Sequence, residues 1–531
     1  MLKNTFAKLR SFRPRGKRPL IFAGAFAVVG IAMLLNTFAA IDPNSVALEA
    51  ESAGAGTGTA VVADASASGG SYLEFSAAAT PTPTPPPAGQ TASSVTQYGI
   101  TWTFDTTYPV GQFANGDWWV VGPVVINSIT PNFSSGRNGW EANPRTPNNQ
   151  GLDSRLENYS ASRVPALPYT AAANTSIVKG ISRGGTCGND GANHYPCLTT
   201  AAVLTVLGSV PPDNGSTVFR PPFFGTNKPL YRTTQLQTAS LPSLAPTSGA
   251  ISLTQAARRY QRVQLDYITV WTGRYMHPSE NYAFTDNPAN DDVSEYGSEI
   301  ARDANVVALR LLLNDQLSAK MPAIINYVQA GIDLYGMHSG GVTWVSDGGH
   351  MLGRKVTAVY AATLLNDPTM KNEISTAAYA TYGDDGHAYT TTNPQTVAAM
   401  QAAGYAPVLW GKPCDSGEYE TQQRIDSGPR DCRDPIAMID GGEAPGTSYQ
   451  DCCTAQGMKG ASLATRLLPG AKAVWNYQPM HDFADRWVGF GAWASPDNWN
   501  SLGRTPSRNY TANHGSNRDG GSYGHPFINS M

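Results

Sequence analysis

The first 90 residues divide this chain into parts that cannot share one hydrophobic core. Residues 1–18 carry seven basic side chains and no acidic one, and residues 19–40 are almost entirely apolar. Thr80–Pro87 then reads TPTPTPPP, and alternating Thr and Pro favour extended polyproline II, at about 3.1 Å per residue. A Pro/Thr linker over 80–90 therefore separates the head of the chain from roughly 440 further residues, enough for one large domain or two ordinary ones.

Residues 19–40 form an apolar segment whose clearly polar side chains are those of Asn36 and Thr37. A helix of about 20 residues crosses a bilayer core, and a basic flank stays on the cytoplasmic side. The segment is therefore predicted to be an N-terminal transmembrane helix preceded by a basic cytoplasmic head. A cleaved signal peptide is the alternative, because Phe38-Ala39-Ala40 places small residues near a cleavage point. Either way, the bulk of the chain is predicted to be extracytoplasmic, anchored at the cell surface or secreted.

The part of the chain beyond the basic head is acidic. The whole chain has 37 basic and 40 acidic residues, and residues 1–18 hold seven of the basic ones. The remainder therefore has 30 basic against 40 acidic residues, a net charge of −10, with no basic run. Binding to nucleic acid normally needs a basic face, so no nucleic-acid partner is predicted.

Six cysteines agree with an oxidising compartment. Cys187 and Cys197 lie in a loop-like stretch, TCGNDGANHYPC, and are predicted to form a disulfide. The spacing of the six lacks the CxxC…CxxC pattern of a zinc ribbon. The remaining cysteines are predicted to form two bridges of open connectivity that tie the 414–432 loop to residues 452–453: Cys414, Cys432, Cys452 and Cys453.

The hydrophobic pattern changes from strand-like to helical along the chain. Residues 100–104 and 118–126 read as strands, so 91–197 is predicted to be a β-rich and loop segment. Apolar residues at helical spacing then predict a series of helices: 198–210, 253–271, 296–313, 321–335, 354–365, 370–380, 394–403, 456–468 and 480–491. Serial helices with long connections predict a mainly α fold, an α/α barrel (toroid) over 198–495, with an irregular bundle as the competing shape. A polar tail follows at 496–531.

The densest set of polar and aromatic side chains runs from residue 271 to residue 355, at the ends of successive predicted helices. In a toroid such ends converge on a central cleft. The predicted catalytic residues are His277, Asn281, Tyr296, Glu299, His350 and Arg354. The predicted substrate-binding residues are Trp271, Arg274, Tyr282, His338, Trp344 and Lys355. If this is one site, the side chains of His277, Tyr296 and His350 should lie within roughly 10 Å of a common point.

Residues 46–75 resemble the opening strands of carbohydrate-binding modules of the family 6 and 35 type. The resemblance is carried by Ala47–Ser52, ALEAES, and by Ala67–Phe75, ASGGSYLEF. In that family acidic residues of the first strand help to hold a structural calcium ion. Because the family fold is several times longer than this match, residues 41–79 are interpreted as a degenerate fragment of such a module.

Four segments carry a second resemblance, over roughly residues 98–493: MHPSENY, EYGSEIARD, QAGIDLYG and SDGGHMLGRK. Together they resemble a group of secreted bacterial proteins and, more loosely, the α/α-toroid polysaccharide lyases of the alginate-lyase and heparinase type. The resemblance implies cleavage of a polysaccharide by β-elimination. In that chemistry Asn281, His277, His350 and Arg354 would neutralise a uronate carboxylate, and Tyr296 or His277 would remove the C5 proton.

Two other functions stay open on the sequence. A glycoside hydrolase would use a pair of carboxylates, for which the candidates are Glu280, Glu299, Asp303, Asp333 and Asp347. A surface glycan-binding protein without catalysis would use the same aromatic side chains to hold a polysaccharide or surface glycan. No HExxH motif or other metal-ligand spacing occurs, so no cofactor or catalytic metal is predicted, with a structural calcium in the Asp/Asn-rich loop 286–292 left open.

Overall fold

A computed structural model gives the fold of the chain. The residues that it describes are 59–63, 71–75, 90–189, 194–269, 276–281, 297–346, 349–390, 392, 394–410, 453–489, 491 and 524–531. The chain divides into two units, Met1–Thr84 and Pro85–Met531. In the first unit the described part is one antiparallel hairpin, in which β1 (Thr59–Ala63) pairs with β2 (Ser71–Phe75). The resemblance of this stretch to a binding module stays an interpretation.

The second unit begins with an eight-stranded sheet. Its strands are β3 (Thr91–Gln97), β4 (Ile100–Gln112), β5 (Trp118–Val121), β6 (Val124–Thr130), β7 (Trp140–Ala142), β8 (Tyr169–Ala171), β9 (Thr175–Ser182) and β12 (Leu198–Leu207). The order across the sheet is β7-β9-β12-β5-β4-β6-β8, and β3 pairs with β4. All pairs are antiparallel except that of β12 with β5. The sheet surrounds its own core, which contains Trp102, Ile126, Trp140, Ile177 and Leu204.

Strand β12 corrects the helix that the sequence predicted at 198–210. Ala202, Leu204 and Val206 pack into the core of the sheet, whereas Ala201 and Val203 pack into the helical core on the other face. A strand that is buried on both faces reads as a continuous apolar run, and such a run cannot be told from a buried helix by its periodicity.

The helices of the second unit follow the sheet. They are α1 (Leu253–Arg259), α2 (Gly297–Arg310), α3 (Leu317–Ser339), α4 (Arg354–Leu365), α5 (Pro368–Ser375), α6 (Pro394–Ala402), α7 (Ala455–Leu467), α8 (Ala471–Trp475), α9 (Gln478–Gly489) and α10 (Pro526–Ser530). The predicted bounds of α4 are confirmed, and α2 and α3 extend over most of their predicted ranges. Short hairpins add β10 (Gly188–Asn189) with β11 (His194–Tyr195), and β13 (Ala388–Thr390) with β14 (Val408–Trp410).

The predicted mainly α toroid is therefore wrong. The chain has a mixed α/β fold with a large, nearly closed β sheet, to which more strands contribute than the small β-rich segment that was expected. Among the described residues, no helix combines the length and the apolar character needed to cross a bilayer, and the predicted segment 19–40 lies outside those residues.

A buried ion network joins the sheet to the helices. Arg220 Nε contacts the carboxylate of Asp117 at 2.5 Å, and its two terminal nitrogens donate to both oxygens of Asp333 in α3. Asp117 directly precedes β5 and is held further by Gln97 and Asn115. All three charged side chains of this Arg220 centre are almost completely buried, so they fix how the helices sit against the sheet.

The predicted disulfide between Cys187 and Cys197 is confirmed. Cys453 at the start of α7 is also disulfide-bonded, with a partner outside the described residues, where Cys414, Cys432 and Cys452 all lie. The linker at 80–89 and the calcium loop predicted at 286–292 lie outside them too.

Candidate active site

The first turn of α4 carries two adjacent cations into the interior of the protein. Gly353 precedes the helix with a φ of +88°, and a Cβ there would lie 2.4 Å from the Cα atom of Ala301 in α2, so the position requires glycine. Arg354 and Lys355 occupy the first two helical positions, and each is 2% exposed. Positive charge at a helix N-terminus is unfavourable, because the peptide dipoles already concentrate positive charge there. Buried carboxylates therefore have to compensate for these two side chains.

The carboxylate of Asp266 is the first compensating group. Its Oδ1 accepts a hydrogen bond from Arg354 Nη2 at 2.7 Å and lies 2.8 Å from His277 Nε2. Arg354 Nη1 also donates to the carbonyl oxygens of His350 and Leu352, at 3.3 and 2.8 Å. The structure thus brings His277 and Arg354, two of the predicted catalytic residues, to an aspartate that was not predicted, while His350 contacts Arg354 through its backbone carbonyl.

Burial, opposed in part by Asp266, sets the protonation of His277. Burial raises the pKa of Asp266, but Arg354 and His277 outweigh burial and hold that pKa well below its usual range. Burial also lowers the pKa of His277 below 6.5, and Asp266 offsets this only in part. At neutral pH the imidazole is therefore neutral, and its Nε2 lies 2.8 Å from Asp266 Oδ1. With the proton assigned to Nε2, Nδ1 is the basic nitrogen.

A second group of predicted site residues packs around the ring of Tyr382. His338 and Trp344 lie against it with ring centroids 5.5 Å away, and Lys355 Nζ lies 5.6 Å from its centroid. These three residues were predicted to bind substrate. Trp344 Nε1 donates to the carbonyl oxygen of Asp266 at 3.0 Å, which joins the two groups. The buried hydroxyl of Tyr382 has no hydrogen-bond partner among the described residues, and burial raises its pKa, so it stays protonated.

Two aspartates that follow Tyr382 complete the arrangement. Lys355 Nζ contacts the carboxylate of Asp385, which also accepts a hydrogen bond from Trp475 Nε1 at 2.8 Å. Asp384 accepts the backbone N–H of Gly353 at 3.1 Å. Burial raises the pKa of Asp384 to about 6, with the charge of Asp385 acting in the same direction. We call the following group the α4 junction: Asp266, His277, His350, Arg354, Lys355, Tyr382, Asp384 and Asp385.

Other predicted site residues lie apart from this group or outside the described part. The side chain of Asn281 is fully used by the backbone of Arg262, with both hydrogen bonds at 3.0 Å. Glu299 is half-buried on α2, and its charge acts on Arg302 in the same helix. Four predicted residues lie outside the described residues: Trp271, Arg274, Tyr282 and Tyr296.

The carboxylates suggested for a hydrolase mostly serve ion pairs. Glu280 contacts Arg262 at 2.7 Å, and Asp303 contacts Arg259 at 3.0 Å and Arg302 at 3.1 Å. Asp333 belongs to the Arg220 centre. Asp347 lies outside the described residues.

The residues that sequence reasoning missed carried recognisable signals. Asp266 is the single charge in an apolar run, VQLDYITVW, where a buried carboxylate needs a buried cation. Residues 382–387 read YGDDGH. This stretch is as rich in polar and aromatic residues as the segments from which the catalytic residues were predicted. Neither pattern predicts which residue its side chains contact, since Arg354 lies 88 residues beyond Asp266 in the sequence.

One group of side chains has the spacing of a metal site: Asp153, Cys187 and Cys197, whose ligand atoms lie within 4.8 Å of one another. The two sulfurs are bonded to each other, and the carboxylate of Asp153 is bound by Arg155 at 2.6 Å. Because neither thiolate is present and a cation already occupies the carboxylate, the group is a poor fit for a metal ion in this oxidised form.

Comparison with known proteins adds nothing to these contacts: no family model, no curated protein and no solved structure matches the chain.

Proposed function

We propose that the protein is an exported enzyme that cleaves a polysaccharide by β-elimination at the α4 junction. The observation that carries the proposal is the His277 imidazole, which is neutral and lies 2.8 Å from the Asp266 carboxylate. A base held within hydrogen-bond distance of an orienting carboxylate is the arrangement that proton abstraction requires. The basic head, the apolar segment at 19–40 and the disulfides support an extracytoplasmic location.

Each step of the elimination has a candidate group. His277 Nδ1 takes the proton from C5 of a uronate, the electron pair forms the C4–C5 double bond, and the C4–O bond breaks. The hydroxyl of Tyr382, which has no other acceptor among the described residues, then supplies a proton to the leaving oxygen. His277 is 1% exposed, so this chemistry requires the junction to open when the polymer binds.

Hydrolysis is the second candidate, and the state of Asp384 favours it. A carboxyl whose pKa is raised to about 6 can act as a general acid, while Asp266 stays ionised because its pKa is held low. Two carboxyl groups whose environments separate their pKa values are typical of glycosidases.

Product chemistry separates the two reactions. The purified full-length protein is incubated with alginate, polygalacturonate, glycosaminoglycans and neutral glycans, and both unsaturated products and new reducing ends are measured. Elimination gives both signals, whereas hydrolysis gives reducing ends alone. If no polymer gives either signal, the proposal is wrong, and retained binding would identify a non-catalytic glycan-binding protein.

Replacements then test the assignment of roles. For elimination, His277→Gln should lower the rate by about 10²- to 10⁴-fold, the usual contribution of a general base. Tyr382→Phe should also lower the rate, because it removes the proton donor to the leaving oxygen. For hydrolysis, Asp384→Asn should be the damaging change. Arg232→Ala, which removes an exposed ion pair with Asp213, is the matched control and should leave the rate unchanged.

A further inference from the structure

Two tyrosine rings form a parallel pair at the surface close to the α4 junction. The ring centroids of Tyr379 and Tyr477 are 6.4 Å apart, and the ring planes differ by 14°. Tyr379 is 37% exposed, which makes it an outward-facing aromatic ring, while Tyr477 is half-buried behind it. We call these two residues the tyrosine pair.

Hydrogen bonds hold Tyr477 in place and join the two segments that carry the tyrosine pair. The hydroxyl of Tyr477 donates to the carbonyl oxygen of Ala388 at 2.7 Å. The side chain of Asn476 donates to the carbonyl oxygen of Ser375 at 2.9 Å, which ties together the segments that carry the two rings. A ring that is already fixed loses little conformational entropy when a ligand covers it.

The same two segments also build the α4 junction. Tyr379 lies three residues before Tyr382, and Tyr477 lies two residues after Trp475. Burial raises the pKa of Tyr477, and the charge of Asp385 adds to this, which places the tyrosine pair within electrostatic reach of the junction. A ligand on the tyrosine pair would therefore lie near the proposed reaction centre.

The two chain segments that carry the tyrosine pair contain no charged side chain. Residues 376–382 and 474–480 contain no Asp, Glu, Lys or Arg. The exposed polar side chains near the two rings in the sequence are those of Thr376, Asn476 and Gln478, each of which donates one hydrogen bond within the protein. A flat ring bordered by amides and hydroxyls matches a sugar, whose C–H face packs on an aromatic ring while its hydroxyls form hydrogen bonds at the edge.

We propose that Tyr379 and Tyr477 form a binding subsite for a pyranose ring of the polysaccharide. The choice of ligand class rests on the proposed function, but the subsite itself needs no catalysis. It would bind a sugar unit of the polysaccharide at some distance from the bond that is cleaved. Long polymers, which can reach both places, would therefore bind better than short ones.

Affinity electrophoresis of the full-length protein tests the subsite without any reaction. Gels contain β-glucan, galactomannan, xylan, alginate or polygalacturonate. Tyr379→Ala should weaken retardation in the bound polymer roughly 3- to 10-fold, the range expected for one aromatic contact. Tyr379→Phe keeps the ring and should stay within about twofold of the wild type. Leu230→Ala, at another exposed apolar side chain, is the matched control and should bind normally.

The outcomes separate the subsite from the proposed function. Binding that falls with Tyr379→Ala, in a protein that cleaves nothing, supports the subsite and removes the enzyme. Cleavage and binding that are both unaffected by Tyr379→Ala remove the subsite and leave the enzyme. Retardation by none of the polymers overturns the subsite as well. Unchanged thermal unfolding of the variant ensures that a loss of binding is not a loss of fold.

Discussion

Two arginines in this protein are buried to nearly the same degree but lie in different surroundings. Arg220 is 1% exposed and Arg354 is 2% exposed. Arg220 has two carboxylates to itself, Asp117 and Asp333, and binds the second through two parallel hydrogen bonds. Arg354 has one carboxylate, Asp266, which it shares with His277.

The two centres differ in how completely hydrogen bonds occupy their polar groups. At the Arg220 centre, burial raises the pKa of Asp333, but both of its oxygens accept hydrogen bonds from Arg220, so the network joins sheet to helices. At the α4 junction, His277 is neutral beside a carboxylate, Asp384 has a pKa of about 6, and the Tyr382 hydroxyl has no partner among the described residues. Perturbed groups of this kind gather at functional sites, whereas a saturated ion network mainly specifies the fold.

The largest effect is expected when the Arg220 centre is broken. Arg220→Met leaves Asp117 and Asp333 buried without their cation, which should lower the free energy of unfolding by about 3–5 kcal/mol. Denaturant titration of the variant measures it. The control is Arg232→Ala, whose ion pair with Asp213 is exposed and should barely move the midpoint. Equal midpoints for the two variants would contradict the distinction between the buried and exposed pairs.

A smaller and pH-dependent effect is expected at Arg354. Arg354→Met should cost about 2–3 kcal/mol at pH 8, because Asp266 keeps only a neutral histidine as its partner. Loss of the arginine also raises the pKa of His277, since Arg354 lowers it in the wild type.

The sign of that pH dependence follows from linkage. In the wild type the folded-state pKa of His277 lies below its unfolded value, so the folded protein loses stability as pH falls through that interval. Arg354→Met raises the folded-state pKa of His277 and so reduces this loss at low pH. The deficit of Arg354→Met relative to the wild type should therefore be smaller at pH 5 than at pH 8. Unfolding titrations at both pH values measure it, and an equal deficit at both would show that His277 does not respond to Arg354.

The smallest change is expected to be a gain in stability, at Asp384. Its folded-state pKa of about 6 lies above the ordinary aspartate value of 3.8, so its ionisation costs stability as pH rises through that interval. Asp384→Asn should raise the free energy of unfolding by about 1–3 kcal/mol at pH 8 and by almost nothing below pH 4. Thermal or denaturant unfolding across this range tests it.

The matched control for this last change is Asp385→Asn. That variant removes the carboxylate that pairs with Lys355 and should destabilise the protein at pH 8. A loss of stability in Asp384→Asn at pH 8 would mean that the capping bond from Gly353 outweighs the cost of burying the charge.

The sequence was most informative where a structure depends on neighbouring residues. The spacing of apolar residues predicted α4 over 354–365 and the strand that begins at Ile100, and loop position predicted the Cys187–Cys197 disulfide. It also selected five residues that the structure gathers around Asp266 and Tyr382, although their roles stay predictions: His277, His338, Trp344, Arg354 and Lys355.

The tertiary structure decided whatever depends on partners that are distant in the chain. The apolar run 198–207 also fits a helix by its pattern, but it forms strand β12 because the sheet core buries one of its faces and the helical core buries the other. Asp266 and Arg354 meet because α4 starts against α2 at Gly353, and no local pattern encodes that contact. The sequence determined which segments are apolar and where the polar chemistry is dense. Long-range packing determined which charges face each other, and so which groups keep a proton to exchange.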